Sequence, residues 1–86
     1  LKQFDVSDNT LDELPLELVR LSDLETLNCA NNRLTTLPNE LNQLANLREL
    51  NLSFNLFKRL PSVIATFSQL VKLNVEENGL SVKVVY

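Results

Sequence analysis

The side chains in this sequence that could do chemistry are carboxylates, amides, hydroxyls and a single thiol, Cys29; no histidine is present. Without imidazole the usual general base and the commonest metal ligand are missing. No nucleophile stands beside a base at a recognisable spacing. There is no glycine-rich phosphate loop and no cluster of metal ligands. We therefore expect no catalytic residue, no metal and no cofactor within these residues. One cysteine cannot close an internal disulfide, so nothing points to an oxidising compartment. What the sequence does repeat is asparagine: Asn9, Asn32, Asn55 and Asn78 recur at a spacing of 23. An amide carries a donor and an acceptor together, so the chemistry on offer is hydrogen bonding to backbone groups.

The elements that must position these amides follow the same period. Leu1, Leu24, Leu47 and Leu70 share it, as do Phe4, Leu27, Leu50 and Leu73. So do Val6, Cys29, Leu52 and Val75, and then Leu11, Leu34, Phe57 and Leu80. Shorter columns hold Leu14, Leu37, Leu60; Pro15, Pro38, Pro61; Leu18, Leu41, Ile64; and Leu21, Leu44, Phe67. A helical reading fails, because Leu18, Leu21, Leu24 and Leu27 step by three and drift around a helix of period 3.6. The prolines also forbid one long helix. QFDVS, ETLNCA, ELNLS and KLNVE alternate polar with apolar residues and read as strands. The stretches after each proline, such as NELNQL, read as one or two helical or 3₁₀ turns, with the proline in the first turn. Such a unit cannot bury its own apolar edge, and stacking neighbours supplies a continuous core.

Composition narrows the class further. A chain of 86 residues makes one small domain. A hydrophobic share of 44% and a charged share of 22% argue against disorder. The net charge of −3 argues against a direct nucleic-acid footprint, which needs a basic face. No apolar run approaches the roughly 18 residues of a membrane span. The opening LKQFDVSDNT has no basic-then-apolar signal pattern. We expect a cytoplasmic chain with no membrane contact. It starts without methionine, directly on a repeat and without a polar cap, so it reads as part of a longer chain.

The unit LETLNCANNRLTTLPNELNQLAN resembles the leucine-rich repeat, LxxLxLxxNxLxxLPxxLxxLxx, and the resemblance extends over residues 1–82. Its LPxxLxxL half is similar to the subclass found mostly in intracellular proteins, among them Ras-binding scaffolds, fungal adenylyl cyclases and messenger-RNA deadenylase subunits. The resemblance implies an α/β fold. This is a leucine-rich repeat solenoid forming a right-handed arc, with a parallel β-sheet on the concave face and short helical or 3₁₀ turns on the convex face. Its repeats would be 1–23, 24–46, 47–69 and a partial 70–86. It also implies that Asn9, Asn32, Asn55 and Asn78 form a structural ladder at the strand-to-loop corner. There they would satisfy backbone groups that have no strand or helix partner. Leaving one such group unpaired costs about 1–3 kcal/mol.

In such an arc, function falls to the positions between the buried leucines. The columns are Gln3, Thr26, Glu49, Lys72; Asp5, Asn28, Asn51, Asn74; Ser7, Ala30, Ser53, Glu76; and Asp8, Asn31, Phe54, Glu77. Their carboxylates, Asp5, Asp8, Glu49, Glu76 and Glu77, face Lys72 alone. That balance favours a protein partner with a basic patch, or it describes a merely solvated face. Phe54 is the sharpest candidate: it is an interface anchor, or it folds over a neighbouring repeat. Leu56 is a second exposed apolar candidate. The amides of Asn28, Asn51 and Asn74 could bond one another or a partner, or reflect duplication alone. Cys29 shares a core column and reads as inert. The sequon Asn51-Leu52-Ser53 lies on a strand and reads as chance, and Asn78-Gly79 belongs to the asparagine column, not to a hairpin. The expected role is a protein-interaction module of scaffold or signalling type. The alternative is the regulatory repeat segment of a larger enzyme, such as an adenylyl cyclase that binds a small GTPase or a deadenylase subunit. After Leu80 the pattern breaks at Lys83-Val84, which is either a cap or a loss of register.

Overall fold

The computed structural model describes residues 1–80. The break at Lys83-Val84 lies outside the described residues. Each repeat begins with a short strand: β1 (Gln3–Asp5), β2 (Thr26–Asn28), β3 (Glu49–Asn51) and β4 (Lys72–Asn74). The strands form one parallel sheet in sequence order. Pairing runs Gln3↔Thr26↔Glu49↔Lys72, Phe4↔Leu27↔Leu50↔Leu73 and Asp5↔Asn28↔Asn51↔Asn74. A one-residue slip would turn every leucine outward, so the apolar alternation holds this register. At each strand entry one carbonyl accepts two N–H groups of the next repeat. Lys2 serves Glu25 and Thr26, Glu25 serves Arg48 and Glu49, and Arg48 serves Val71 and Lys72, all at 2.8–3.1 Å.

The convex side carries 3₁₀ helices at Leu16–Arg20, Asn39–Gln43 and Ser62–Thr66. The prolines sit just before these helices instead of inside their first turn. Pro15, Pro38 and Pro61 are extended, with φ near −65° (−66°, −65° and −62°). Their carbonyls accept from Leu18, Leu41 and Ile64, each at 3.1 Å. Proline fixes φ and has no N–H to leave orphaned, which suits a chain entering a helix.

The core lies between sheet and helices. Leu24, Leu27, Leu34, Leu41, Leu44, Leu47 and Leu52 are fully buried, as is Cys29. Each buried leucine contributes about 1.5–3 kcal/mol, which far exceeds the few tenths available from any surface pair. Several columns are not uniform. Leu1 is 70% exposed and Leu73 is 36% exposed, because outer coils have a described neighbour on one side only. Leu60 is exposed, whereas Leu14 and Leu37 are buried. In the third repeat Val63 is buried and Ile64 only partly so. The equivalent positions Glu17 and Glu40 are charged and stay outside, while an apolar valine can pack inward.

Candidate interaction surface

Asn32, Asn55 and Asn78 make one pattern of bonds at the strand-to-loop corner. The Asn55 Nδ2 donates to the carbonyls of Cys29 (2.9 Å), Leu52 (3.1 Å) and Ser53 (3.1 Å), and its Oδ1 accepts from the Leu34 N–H (3.0 Å). Asn32 likewise serves Val6, Cys29 and Ala30 and accepts from Leu11. Asn78 serves Leu52, Val75 and Glu76 and accepts from Phe57. Each amide thus joins its own repeat to the preceding one. Asn9 is exposed and donates only to Val6 and Ser7 in its own repeat.

On the open face of the sheet, the middle column does not stack amide on amide throughout. Its side-chain oxygens turn back on their own chain. Asp5 Oδ1 accepts from the Ser7 N–H (2.8 Å), and Asn28, Asn51 and Asn74 accept from Ala30, Ser53 and Glu76 (3.0 Å each). This bond two residues ahead closes an Asx turn and bends the chain out of the strand. The sequence carries the signal, an Asp or Asn three residues before each left-handed corner residue, but residue type alone does not distinguish this turn role from a surface amide. Ser53 is buried, against the expectation that its column faces outward; its hydroxyl donates to Asn51 Oδ1 (2.7 Å).

The variable side chains of the first repeats are already paired across the sheet. Asn28 Nδ2 donates to Asp5 Oδ2 (3.4 Å), Asn31 Nδ2 to Asp8 Oδ1 (2.7 Å) and Thr26 Oγ1 to Glu49 Oε2 (3.3 Å). In the third and fourth repeats, the Asn51 and Asn74 Nδ2 groups and Lys72 have no acceptor among the described residues. Asp5, Asp8, Asn31, Phe54, Lys72, Glu76 and Glu77 are exposed, and Asn28, Glu49, Asn51 and Asn74 are partly buried. A shallow groove of ≈ 210 Å³ runs over the sheet, lined by Thr26, Leu27, Asn28, Glu49, Leu50, Asn51, Lys72 and Asn74. Small-molecule sites usually occupy roughly 300–1,000 Å³ and are mostly apolar, so this groove suits a side chain of a larger ligand better.

The Cys29 and Asp5 side chains are shifted from their ordinary values. The Cys29 thiol is pushed up to about 12, chiefly by burial and secondarily by the Asp5 charge. The Asp5 carboxyl is held below its usual 3.8 by Ser7, through its hydroxyl and then its backbone N–H; Asn28 adds a smaller pull. Among the described residues no cluster of His, Cys, Asp or Glu could hold a metal ion.

A parallel sheet one strand deep per coil, backed by 3₁₀ helices and stitched by corner asparagines, defines an α/β repeat solenoid. A family model described as leucine-rich repeats, two copies, matches residues 22–66. The chain belongs to the leucine-rich repeat family. It is similar to a leucine-rich repeat protein of Leptospira interrogans, at 35% identity over 91% of this chain and 20% of that one, with a TM-score of 0.85. It also matches the leucine-rich repeat ectodomain of the receptor kinase SOBIR1 from Arabidopsis thaliana. That match has 25% identity, covers 93% of this chain and 58% of the other, and has a TM-score of 0.57. The chain thus spans a fifth of the first protein and just over half of the second. No curated protein matches it. Arrays of this family are interaction scaffolds whose curved surfaces bind proteins.

Proposed function

We propose that this chain takes a protein partner on its concave strand face, in a scaffold or signalling role. The observation that carries the reading is the uneven use of polar groups on that face. Donors paired inside the first repeats gain little from a ligand. The Asn51 and Asn74 amides and Lys72 have no acceptor among the described residues and so have hydrogen bonds to offer a ligand. A partner with a basic patch suits the carboxylates Asp5, Asp8, Glu49, Glu76 and Glu77, and the charge contributes mainly association rate and specificity. Phe54 supplies the apolar contact.

A photo-crosslinking amino acid at Asn51, compared with one at Asn42 on the convex side, tests this in cells that express the full gene product. Adducts to a protein from position 51, with none from position 42, are expected. Adducts from position 42 alone would remove the concave face from the account.

A second reading makes the chain the regulatory segment of a larger enzyme. It is favoured by the partial share of each matched protein that the chain spans, a fifth of one and just over half of the other, the latter an ectodomain of a receptor kinase. An adenylyl cyclase with a small-GTPase partner, or a deadenylase subunit, would be such an enzyme. The full coding sequence decides, since a catalytic domain in the same chain supports this reading and its absence ends it. The cytoplasmic setting belongs to the same proposal, and a secreted product on fractionation would exclude the small-GTPase version.

A further inference from the structure

The corner residue that follows each Asx turn is left-handed: Asp8, Asn31, Phe54 and Glu77 have φ of 59°, 58°, 56° and 55°. Aspartate and asparagine tolerate this conformation, because a short polar side chain can bond locally. A bulky aromatic does not, and Phe54 is the outlier of the column. Its backbone cannot relax. The Phe54 N–H donates to the Glu76 carbonyl (3.0 Å), and the Ser53 carbonyl just before it accepts from the Asn31 N–H (2.9 Å). Phe54 also ends a side-chain ladder, since Asn31 bonds Asp8 at 2.7 Å and phenylalanine offers Asn31 no polar group. The fold returns little for these losses, because Phe54 is 57% exposed and Leu56, two residues on, is 54% exposed. Strain held in place by its surroundings gathers at binding sites.

The charges around the pair are ordered. Glu76 and Glu77 lie on one flank of Phe54, and Asn31 and Asp8 lie on the other. Basic residues lie at the Leu56 end: Arg33 precedes Leu56 in its own column, and the Lys58 side chain lies against Gly79, the residue that follows Leu56 in that column. We infer that Phe54 and Leu56 form a strained apolar anchor for a polypeptide segment. That segment carries apolar side chains to cover the pair and Lys or Arg beside them to meet Asp8, Glu76 and Glu77. This rests on the protein-binding reading and names the residues and partner chemistry within it. An anionic lipid surface is disfavoured at Phe54, where those same carboxylates would repel it.

The test uses Phe54→Asn, the residue type its column already holds at Asn31, and Leu56→Thr, which leaves the strained position alone. Phe54→Asn relieves the corner and restores a polar neighbour for Asn31, so its thermal midpoint rises, by roughly 4–8 °C for each kcal/mol regained in a domain this size. Leu56→Thr brings no such rise. Random-peptide phage selection on the full chain yields peptides pairing apolar residues with Lys or Arg. Both variants weaken these by roughly tenfold or more, as loss of an anchor does. A lower melting point for Phe54→Asn overturns the inference, as do selected peptides without basic residues. Phe54-dependent sedimentation with phosphatidylserine vesicles overturns it in favour of a membrane. Peptides lost on Asn51→Ala but indifferent to Phe54→Asn and Leu56→Thr overturn the anchor and leave the concave reading standing. Peptides indifferent to all of these variants overturn both.

Discussion

Replacing Asn55 by alanine isolates what the corner amides do. Asn55 is 4% exposed and makes four bonds, but they are not equivalent. The carbonyls of Cys29, Leu52 and Ser53 each keep a second donor, namely Asn32 Nδ2, Asn78 Nδ2 and the Asn31 N–H. The Leu34 N–H has Asn55 Oδ1 as its acceptor and no other among the described residues. The loss is then one orphaned buried N–H, about 1–3 kcal/mol, plus weakened carbonyl pairing worth about 0.5–1.5 kcal/mol. Together these give roughly 2–4 kcal/mol, a large share of the roughly 4–13 kcal/mol expected for a domain of this length. The midpoint should fall by roughly 10–30 °C. Asn9→Ala is the internal control, because Asn9 is exposed and bonds only within its own repeat. It should change stability by no more than about 0.5 kcal/mol. Urea titrations followed by circular dichroism measure both. Equal effects from the two substitutions would refute the claim that the amides stabilise by joining adjacent coils.

Leu50→Ala, at a central core position, should cost about 2–5 kcal/mol, while Thr35→Ala, at an exposed position of no fixed type, should stay within about 0.5 kcal/mol in the same titration. The Cys29 thiol, held near 12 by burial, should resist thiol reagents in the native state at neutral pH and react only as fast as the chain opens; prompt native labelling would contradict its placement. The Asp5 carboxyl should titrate below 3.8 by NMR. Because its folded value is depressed, its contribution is present above the unfolded value and is lost as pH falls through the folded one. Ser7→Ala should move that midpoint upward toward 3.8, since the hydroxyl is the largest cause, and an unmoved midpoint would reassign the effect to the backbone.

The period was legible in the sequence because the core columns and the corner asparagines repeat residue type, and type there answers to burial. The strand register follows from it directly, Leu27 beside Leu50 beside Leu73. What stayed hidden is set by backbone conformation where residue type varies. Asp8 and Asn31 are compatible with a left-handed corner, but Phe54 and Glu77 hide it, so the strain at Phe54 emerges only from the dihedral angles. The burial of Ser53 was hidden for a related reason: the Asx turn draws its hydroxyl onto Asn51. Exposure at Leu1, Leu60 and Leu73 depends on how many coils flank a position, which a column of identical residues cannot reveal.

Stacked coils in one-repeat register are the claim beneath everything above, and hydrogen-bond scalar couplings in a labelled sample test it most directly. The account predicts couplings from the amide nitrogens of Val6, Cys29 and Leu52 to the carbonyl carbons of Asn28, Asn51 and Asn74. Couplings to carbonyls at any other offset, or none between these segments, would contradict it.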